Sequence, residues 1–322
     1  MATMNNPTRY RAPAWLPGGN LQTLYPALVA RRAHVSYRRE RWITPDGDFI
    51  DLDWTAAAGT GSAPLLVLFH GLEGSSNSQY ARGLMHAAVQ RGWRGVVVHF
   101  RGCSGEINRL PRAYHSGDSS EIDWILRRLR AQHNGALFAA GVSLGGNALL
   151  KWLGEQREAA KDVVHRAAAI SAPVDLHAAG RALEQGFNMI YTNNFLTTMK
   201  RKSFAKLRMH PGLFDPAKLR TTRTLREFDD LVTAPLHGFT GVDDYYTRAS
   251  SKPLLMCVTV PTLLLNARND PFLPGTALPE LQQLSHAITP AFPDEGGHVG
   301  FPDGNGSIRW LPHTVLEFLA AP

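Results

Sequence analysis

From residue 65 onward the chain repeats one pattern: a short unbroken apolar run, then a longer amphipathic stretch. The runs are Leu65–Phe69, Arg94–Phe100, Leu137–Val142 and Ala167–Ser171, and the pattern returns at Thr262–Asn266. A strand with one wet face alternates polar and apolar residues, whereas an unbroken run has no face to offer water. Such runs belong to strands covered on both sides, as in a mostly parallel sheet between helices. Gln79–Arg91, Ser119–Gln132 and Leu144–Glu155 fall between the runs and are expected to be the covering helices, with a last helix near Ile308–Leu319. Arg38–Trp54 alternates more strictly and contains the turn signal Pro45-Asp46-Gly47, so it predicts an antiparallel hairpin at the sheet's edge.

The rhythm fails between Asp175 and Pro253. That stretch is helical in character, with Phe187, Phe195, Met199 and Phe214 among its apolar residues, and holds no convincing buried strand. The expected organisation is an α/β chain with an N-terminal arm (1–37), a core (38–174 and 254–322) and a helical cap insertion (175–253). Such a cap covers the C-terminal edge of the strands, where open α/β sheets bind ligands.

Composition narrows the class. The 322 residues are 44% apolar and 19% charged, which suits a folded chain with a sizeable core. Met1–Pro13 is polar and lacks the apolar centre of a signal peptide, and no apolar run approaches the ~20 residues of a spanning helix. A cytoplasmic protein is therefore expected. The two cysteines, Cys103 and Cys257, form neither a disulfide framework nor a metal cluster. The net charge of +7 raises the question of an acidic partner. Its densest stretch, Lys200–Arg208, has Phe204 and Leu207 interleaved, which fits weak peripheral contact with an anionic membrane. The plainer reading is a solvated helix face. No nucleic-acid-binding signature accompanies it, so nucleic acid is not expected as a partner.

The chemistry centres on Gly141-Val142-Ser143-Leu144-Gly145, which leaves a buried strand and opens a helix. In that context the motif is a nucleophile elbow, a turn so tight that small residues must flank the serine. A serine hydroxyl becomes a nucleophile only when a base takes its proton. In the α/β-hydrolase fold the order along the chain is serine, acid, histidine. Of 13 histidines, His298 is the candidate base, because Glu295-Gly296-Gly297-His298-Val299-Gly300 offers a flexible loop late in the chain. His286 and His313 are read as helical surface residues. The candidate acid is Asp270, just beyond Leu263–Leu265, with Asp175 as the alternative. Asp294, Glu295 and Asp303 are read as surface groups. Backbone N–H groups of Leu72 and Leu144 are the candidate oxyanion donors. His70 is expected to be a structural hydrogen-bonding residue. Arg101-Gly102-Cys103-Ser104-Gly105 is expected to be a structural loop beside the site. No metal site, phosphate loop or dinucleotide fingerprint is read, so no cofactor is expected.

Longer motifs carry a resemblance. Leu21-Gln22-Thr23, Pro45-Asp46-Gly47-Asp48, His70-Gly71-Leu72-Glu73-Gly74-Ser75, His99–Gly105, Tyr114-His115-Ser116-Gly117, Ser143–Asn147, Arg226–Asp230 and Gly296–Phe301 follow one another in order. In these the chain resembles the YheT-like family of α/β-hydrolases, whose eukaryotic relatives include phospholipase-like hydrolases. One departure is Asn20, where relatives place a histidine before Leu-Gln-Thr. The resemblance implies carboxylic ester hydrolysis with Ser143, Asp270 and His298 as the triad. The expected substrate is a small-molecule or lipid-like ester, cleaved through an acyl-enzyme. The same triad serves thioester or amide hydrolysis and acyl transfer. A non-catalytic lipid-binding protein on this scaffold is the rival of another class, and the presence of all three triad residues argues against it.

Overall fold

The computed structural model describes residues 10–56 and 61–321. Residues 1–9, most of the stretch read above as lacking an export signal, lie outside them. Helix α1 (Gly19–Leu28) leads into strands β1 (Tyr37–Ile43), β2 (Phe49–Thr55) and β3 (Leu65–Phe69). Helices and strands then alternate: α2 (Gln79–Gln90), β4 (Arg94–His99), α3 (Ser119–Ala131), β5 (Leu137–Val142), α4 (Leu144–Gln156) and β6 (Arg166–Ile170). A helical segment follows, with α5 (Leu176–Leu183), α6 (Met189–Met209), α7 (Pro216–Thr221), α8 (Leu225–Phe228), α9 (Ala234–Leu236) and α10 (Val242–Ala249). A π-helical stretch, Asp229–Thr233, joins α8 to α9. The chain ends on β7 (Thr262–Leu265), β8 (Ile288–Ala291) and α11 (Trp310–Ala320).

The eight strands form one sheet in the order β1-β2-β4-β3-β5-β6-β7-β8. Pairings from β4 through β8 are parallel, and β1 and β2 join antiparallel at one side. The unbroken apolar runs explain how the sheet is covered. Successive side chains of a strand point to opposite faces. Leu65, Val67 and Phe69 accordingly enter one apolar cluster with α3 and α4. Leu66 and Leu68 enter the other, with α2 and α11. All five are buried to within 1% of complete, so each contributes about 1.5–3 kcal/mol of hydrophobic stabilisation.

The exposed edge is handled differently. β1 reads Tyr-Arg-Arg-Glu-Arg-Trp-Ile, a charged strand that discourages edge-to-edge pairing with another chain. Its arginines fork onto acids directly opposite in β2: Arg39 on Asp53 at 2.7 and 2.9 Å, Arg41 on Asp51 at 2.8 and 2.9 Å. Arg101 ties the turn between these strands to the rest of the molecule, through Asp46 at 2.8 Å, Asp48 at 3.2 Å and Glu121 at 2.8 Å. The sequence reading of His286 needs correction. It sits in a turn just before β8 rather than in a helix, because Leu281–Gln283 makes only a single 3-10 turn. Among the described residues no helix is long and apolar enough to cross a membrane.

Candidate active site

Ser143 occupies the single residue between β5 and α4, with φ 52° and ψ −120°. A non-glycine residue held at positive φ is strained, and such strain concentrates at functional sites. The surroundings enforce it: a Cβ on Gly145 would lie 2.5 Å from the carbonyl oxygen of Phe69, so α4 closes on β3 only with glycine there. Ser143 N–H is anchored to the Ile170 carbonyl at 2.8 Å.

His298 approaches from the far end of the chain. Its Nε2 lies 3.0 Å from Ser143 Oγ, and its Nδ1 lies 2.9 and 3.1 Å from the two carboxylate oxygens of Asp270. A carboxylate only accepts, so the ring proton sits on Nδ1 and Nε2 is left as a base toward the serine. Asp270 is buried, and its Oδ1 also accepts the Phe272 N–H at 2.8 Å. The Phe272 ring stacks on the imidazole, centroids 4.0 Å apart and planes 22° apart. The structure thus brings Ser143, His298 and Asp270 into one hydrogen-bonded line. Asp175, the alternative acid, caps α5 instead by accepting the Ala178 N–H. Asp294 and Glu295 are exposed, Asp303 accepts from Ser307, and one Glu295 oxygen accepts from Gln22 at 3.2 Å. Glu295 is thus the surface group read from the sequence, with one oxygen resting on the buried Gln22 amide.

Leu72 and Leu144 both border the cavity that Ser143 and His298 face. Leu144 is the first residue of α4, and the first N–H groups of a helix have no partner within it. The loop bearing Leu72 is pressed on the serine: a Cβ on Gly71 would lie 3.1 Å from Ser143 Cβ. Its neighbours are fixed on both sides. Gly71 N–H donates to Tyr80 OH and Glu73 N–H to Tyr114 OH, each at 2.9 Å. The Tyr114 hydroxyl in turn donates to Glu73 Oε1 at 2.9 Å, and Lys202 from α6 reaches the same oxygen at 2.8 Å. Beneath the loop, Phe100 N–H donates to His70 Nε2 at 3.1 Å, which leaves Nδ1 to donate to the Gly71 carbonyl at 2.8 Å. Burial drives the His70 pKa down to about 3, so the ring stays neutral.

The cavity wall is mainly apolar. Leu176, Leu183, Phe195, Met199, Phe214 and Phe228 contribute to it from the helical segment, and Leu72, Ile107 and Pro111 from the sheet side. Asp229 is one of its few acids. Burial pushes its carboxyl up to about 6, against hydrogen bonds from Thr233 and Tyr246.

The basic stretch of α6 divides: Arg201 and Arg208 are exposed, as a solvated face requires, while two of its lysines turn inward. Lys206 is buried, and its ammonium donates to the carbonyls of Asn108 (2.6 Å) and Leu110. Lys202 faces Glu73 and also lies 3.4 Å from Cys103 Sγ. Phe204 and Leu207 pack against the apolar cluster of the helical segment. Lys202, Lys206 and these apolar side chains lie on the face by which α6 packs on the body, and Arg201 and Arg208 keep their charge at the surface. Cys103 has the Lys202 ammonium beside it. Burial still pushes its thiol up to about 11.

Residues that sequence reasoning missed surround these groups. Asn147 ties α4 to Ser116, Ala249 and Ser251 with bonds of 2.8–3.0 Å. Gln22, Thr23 and Asn269 bond to the loop carrying His298. The only signal for Gln22, Thr23 and Asn147 was their place in the motifs quoted above.

Comparison with known proteins bears on the family and the fold. A family model described as alpha/beta hydrolase fold matches residues 64–305. The "Putative esterase YheT" of Escherichia coli is 43% identical over 93% of this chain and 89% of its own length. Human phospholipase ABHD3 is 33% identical over 92% of this chain and 74% of its own. In three dimensions the chain is similar to the Pyrococcus furiosus esterase Pf2001, with a TM-score of 0.57 at 14% identity, covering 90% of this chain and 96% of that one.

Proposed function

The chain belongs to the α/β-hydrolase family, together with YheT and the ABHD3 phospholipases, and from that premise we propose that it hydrolyses carboxylic esters through an acyl-enzyme on Ser143. The observation that carries this reading is the unbroken line Ser143–His298–Asp270 at the wall of an apolar cavity. Ser143 Oγ attacks the ester carbonyl carbon while His298 Nε2 takes the hydroxyl proton. Asp270 holds the ring in the required tautomer and stabilises the imidazolium. The N–H groups of Leu72 and Leu144 receive the oxyanion. The intermediate then collapses, the C–O bond to the alcohol breaks, and His298 returns its proton to the departing oxygen. Water enters, His298 takes a proton from it, and the acid leaves with Ser143 restored.

Residues 175–253 act as a cap in this reading, and their apolar side chains receive the acyl chain or another lipid-like part of the ester. Relatives named as esterases and phospholipases fit that chemistry.

The test is a chromogenic ester series of increasing acyl length, with Ser143→Ala measured beside wild type. Activity that peaks at one chain length and is lost in the variant supports the proposal. Full activity in Ser143→Ala overturns it.

A further inference from the structure

We infer that α1 belongs to the working site, with Gln22 and Thr23 as positioning residues that hold the loops bearing His298 and Asp270. The inference rests on the hydrolase reading above and adds to it residues remote from the cavity.

The loop that delivers His298 has irregular backbone, with positive φ at Gly296 (146°), Gly297 (63°), Val299 (59°) and Phe301 (45°). A segment of that shape cannot satisfy its own amides through a helix or a ladder, and buried amides demand partners. Here four consecutive N–H groups each find a different side chain. Gly296 donates to Gln22 Oε1 at 2.8 Å, Gly297 to Asn269 Oδ1 at 3.0 Å, His298 to Thr23 Oγ1 at 2.8 Å, and Val299 to Ser171 Oγ at 3.0 Å.

Gln22 does more than accept from one amide. Its Oε1 also accepts from Asn269 Nδ2 at 2.9 Å, and Asn269 directly precedes Asp270. Its Nε2 donates to the Leu16 carbonyl at 3.0 Å and to Glu295 Oε1 at 3.2 Å. The Gly296 N–H can only donate, so the amide orientation is fixed, and all four hydrogen-bonding positions of a fully buried side chain are used. Thr23 Oγ1 donates its own proton to the Gly19 carbonyl at 2.7 Å, which turns a lone pair toward the His298 amide. Contact is close as well: a Cβ on Gly300 would lie 1.9 Å from the Gln22 carbonyl oxygen.

One buried amide therefore bridges the loop of the acid to the loop of the base, and one hydroxyl holds the base's own backbone. Neither Gln22 nor Thr23 lines the cavity. Their effect on chemistry runs through the 3.0 Å separation of His298 Nε2 from Ser143 Oγ. A displacement of about 1 Å there costs up to about 10²-fold in rate.

The experiment compares wild type, Thr23→Val, Thr23→Ser and Gln22→Met. It measures kcat and KM on the best chromogenic ester, the labelling rate of Ser143 by a fluorophosphonate, and Tm. It also records the downfield proton resonance of the His298 Nδ1–H. Thr23→Val is expected to lower kcat about 10-fold and Gln22→Met about 10²-fold, with KM nearly unchanged and labelling slowed in step. Thr23→Ser, which restores the acceptor, is expected to recover wild-type kcat and a sharp resonance.

If Thr23→Val keeps wild-type kcat, labelling rate and resonance while only Tm falls, α1 is a structural brace and the inference is overturned. Should Gln22→Met fail to fold, the threonine pair decides alone. A wild type that neither turns over esters nor labels defeats the hydrolase reading instead. In that case the resonance still reports whether Thr23 orients the imidazole.

Discussion

The two sides of the Ser143 cleft are built from different materials. On the Leu72 side, the backbone is braced by phenols and an ion pair: Tyr80, Tyr114, Glu73 and Lys202. On the His298 side, the partners of the loop's own amides are neutral: one glutamine, one asparagine, one threonine and one serine. In the proposed mechanism the imidazole gains and loses a proton every cycle, so a fixed charge bonded to its backbone would bias one half of that cycle. Neutral donors and acceptors hold position and leave the tuning to Asp270. The Leu72 side carries no group that must change charge, and there an ion pair is tolerated. Its brace also comes partly from α6, whereas the His298 side is braced by α1 and the strand ends.

The largest expected effect tests whether the His298 side carries the chemistry at all. His298→Ala is expected to lower kcat by about 10⁴-fold or more in a steady-state ester assay, with Tm close to wild type. Acid distinguishes the sides next. His70, buried under the Leu72 loop, has its pKa depressed from 6.5 to about 3. The unfolded chain therefore binds a proton that the folded chain refuses. Stability is full above about pH 6.5 and falls as pH drops from there toward 3, by roughly 2 kcal/mol from this group alone at pH 5. Burial lowers His115 in the same way, so thermal melts at pH 7, 6 and 5 compare wild type with His70→Gln, and an identical pH dependence in the two would remove His70 from the account.

Tyr114→Phe probes the phenol brace. It takes the acceptor from Glu73 N–H and a donor from its carboxylate, at a cost of about 1–3 kcal/mol in urea unfolding and a fall in kcat. The smallest change is Lys202→Met. Glu73 keeps its bond from Tyr114 and loses one charge-assisted bond of a pair 27% and 9% exposed, so the loss is about 1.5 kcal/mol. If Lys202→Met instead changes kcat more than Tyr114→Phe does, α6 governs the Leu72 loop.

Legibility in the sequence followed the same divide between local and distant. Unbroken apolar runs announced the parallel sheet, since burial on both faces leaves its mark within a few residues. The strand–turn–helix around Ser143 was visible for the same reason, and chain order then picked out Asp270 and His298, which lie on one hydrogen-bonded line with it. The inward turn of Lys202 and Lys206 was not visible. Charged residues at helical spacing look alike whether they meet water or a carbonyl nearly a hundred residues away, as Lys206 does with Asn108. The bonds of Gln22 and Thr23 were equally silent, because no local period encodes a partner some 275 residues further on.

That separation has a meaning in time. A ribosome adding about 5–20 residues per second needs roughly 14–55 s to pass from Thr23 to His298. For that interval α1 waits beside a partly built sheet while the residues that complete its buried bonds have yet to be made. The cleft closes its ring only when the last quarter of the chain folds back onto helix α1. A nascent chain stalled before that point would hold Ser143 on its turn with no imidazole to reach it.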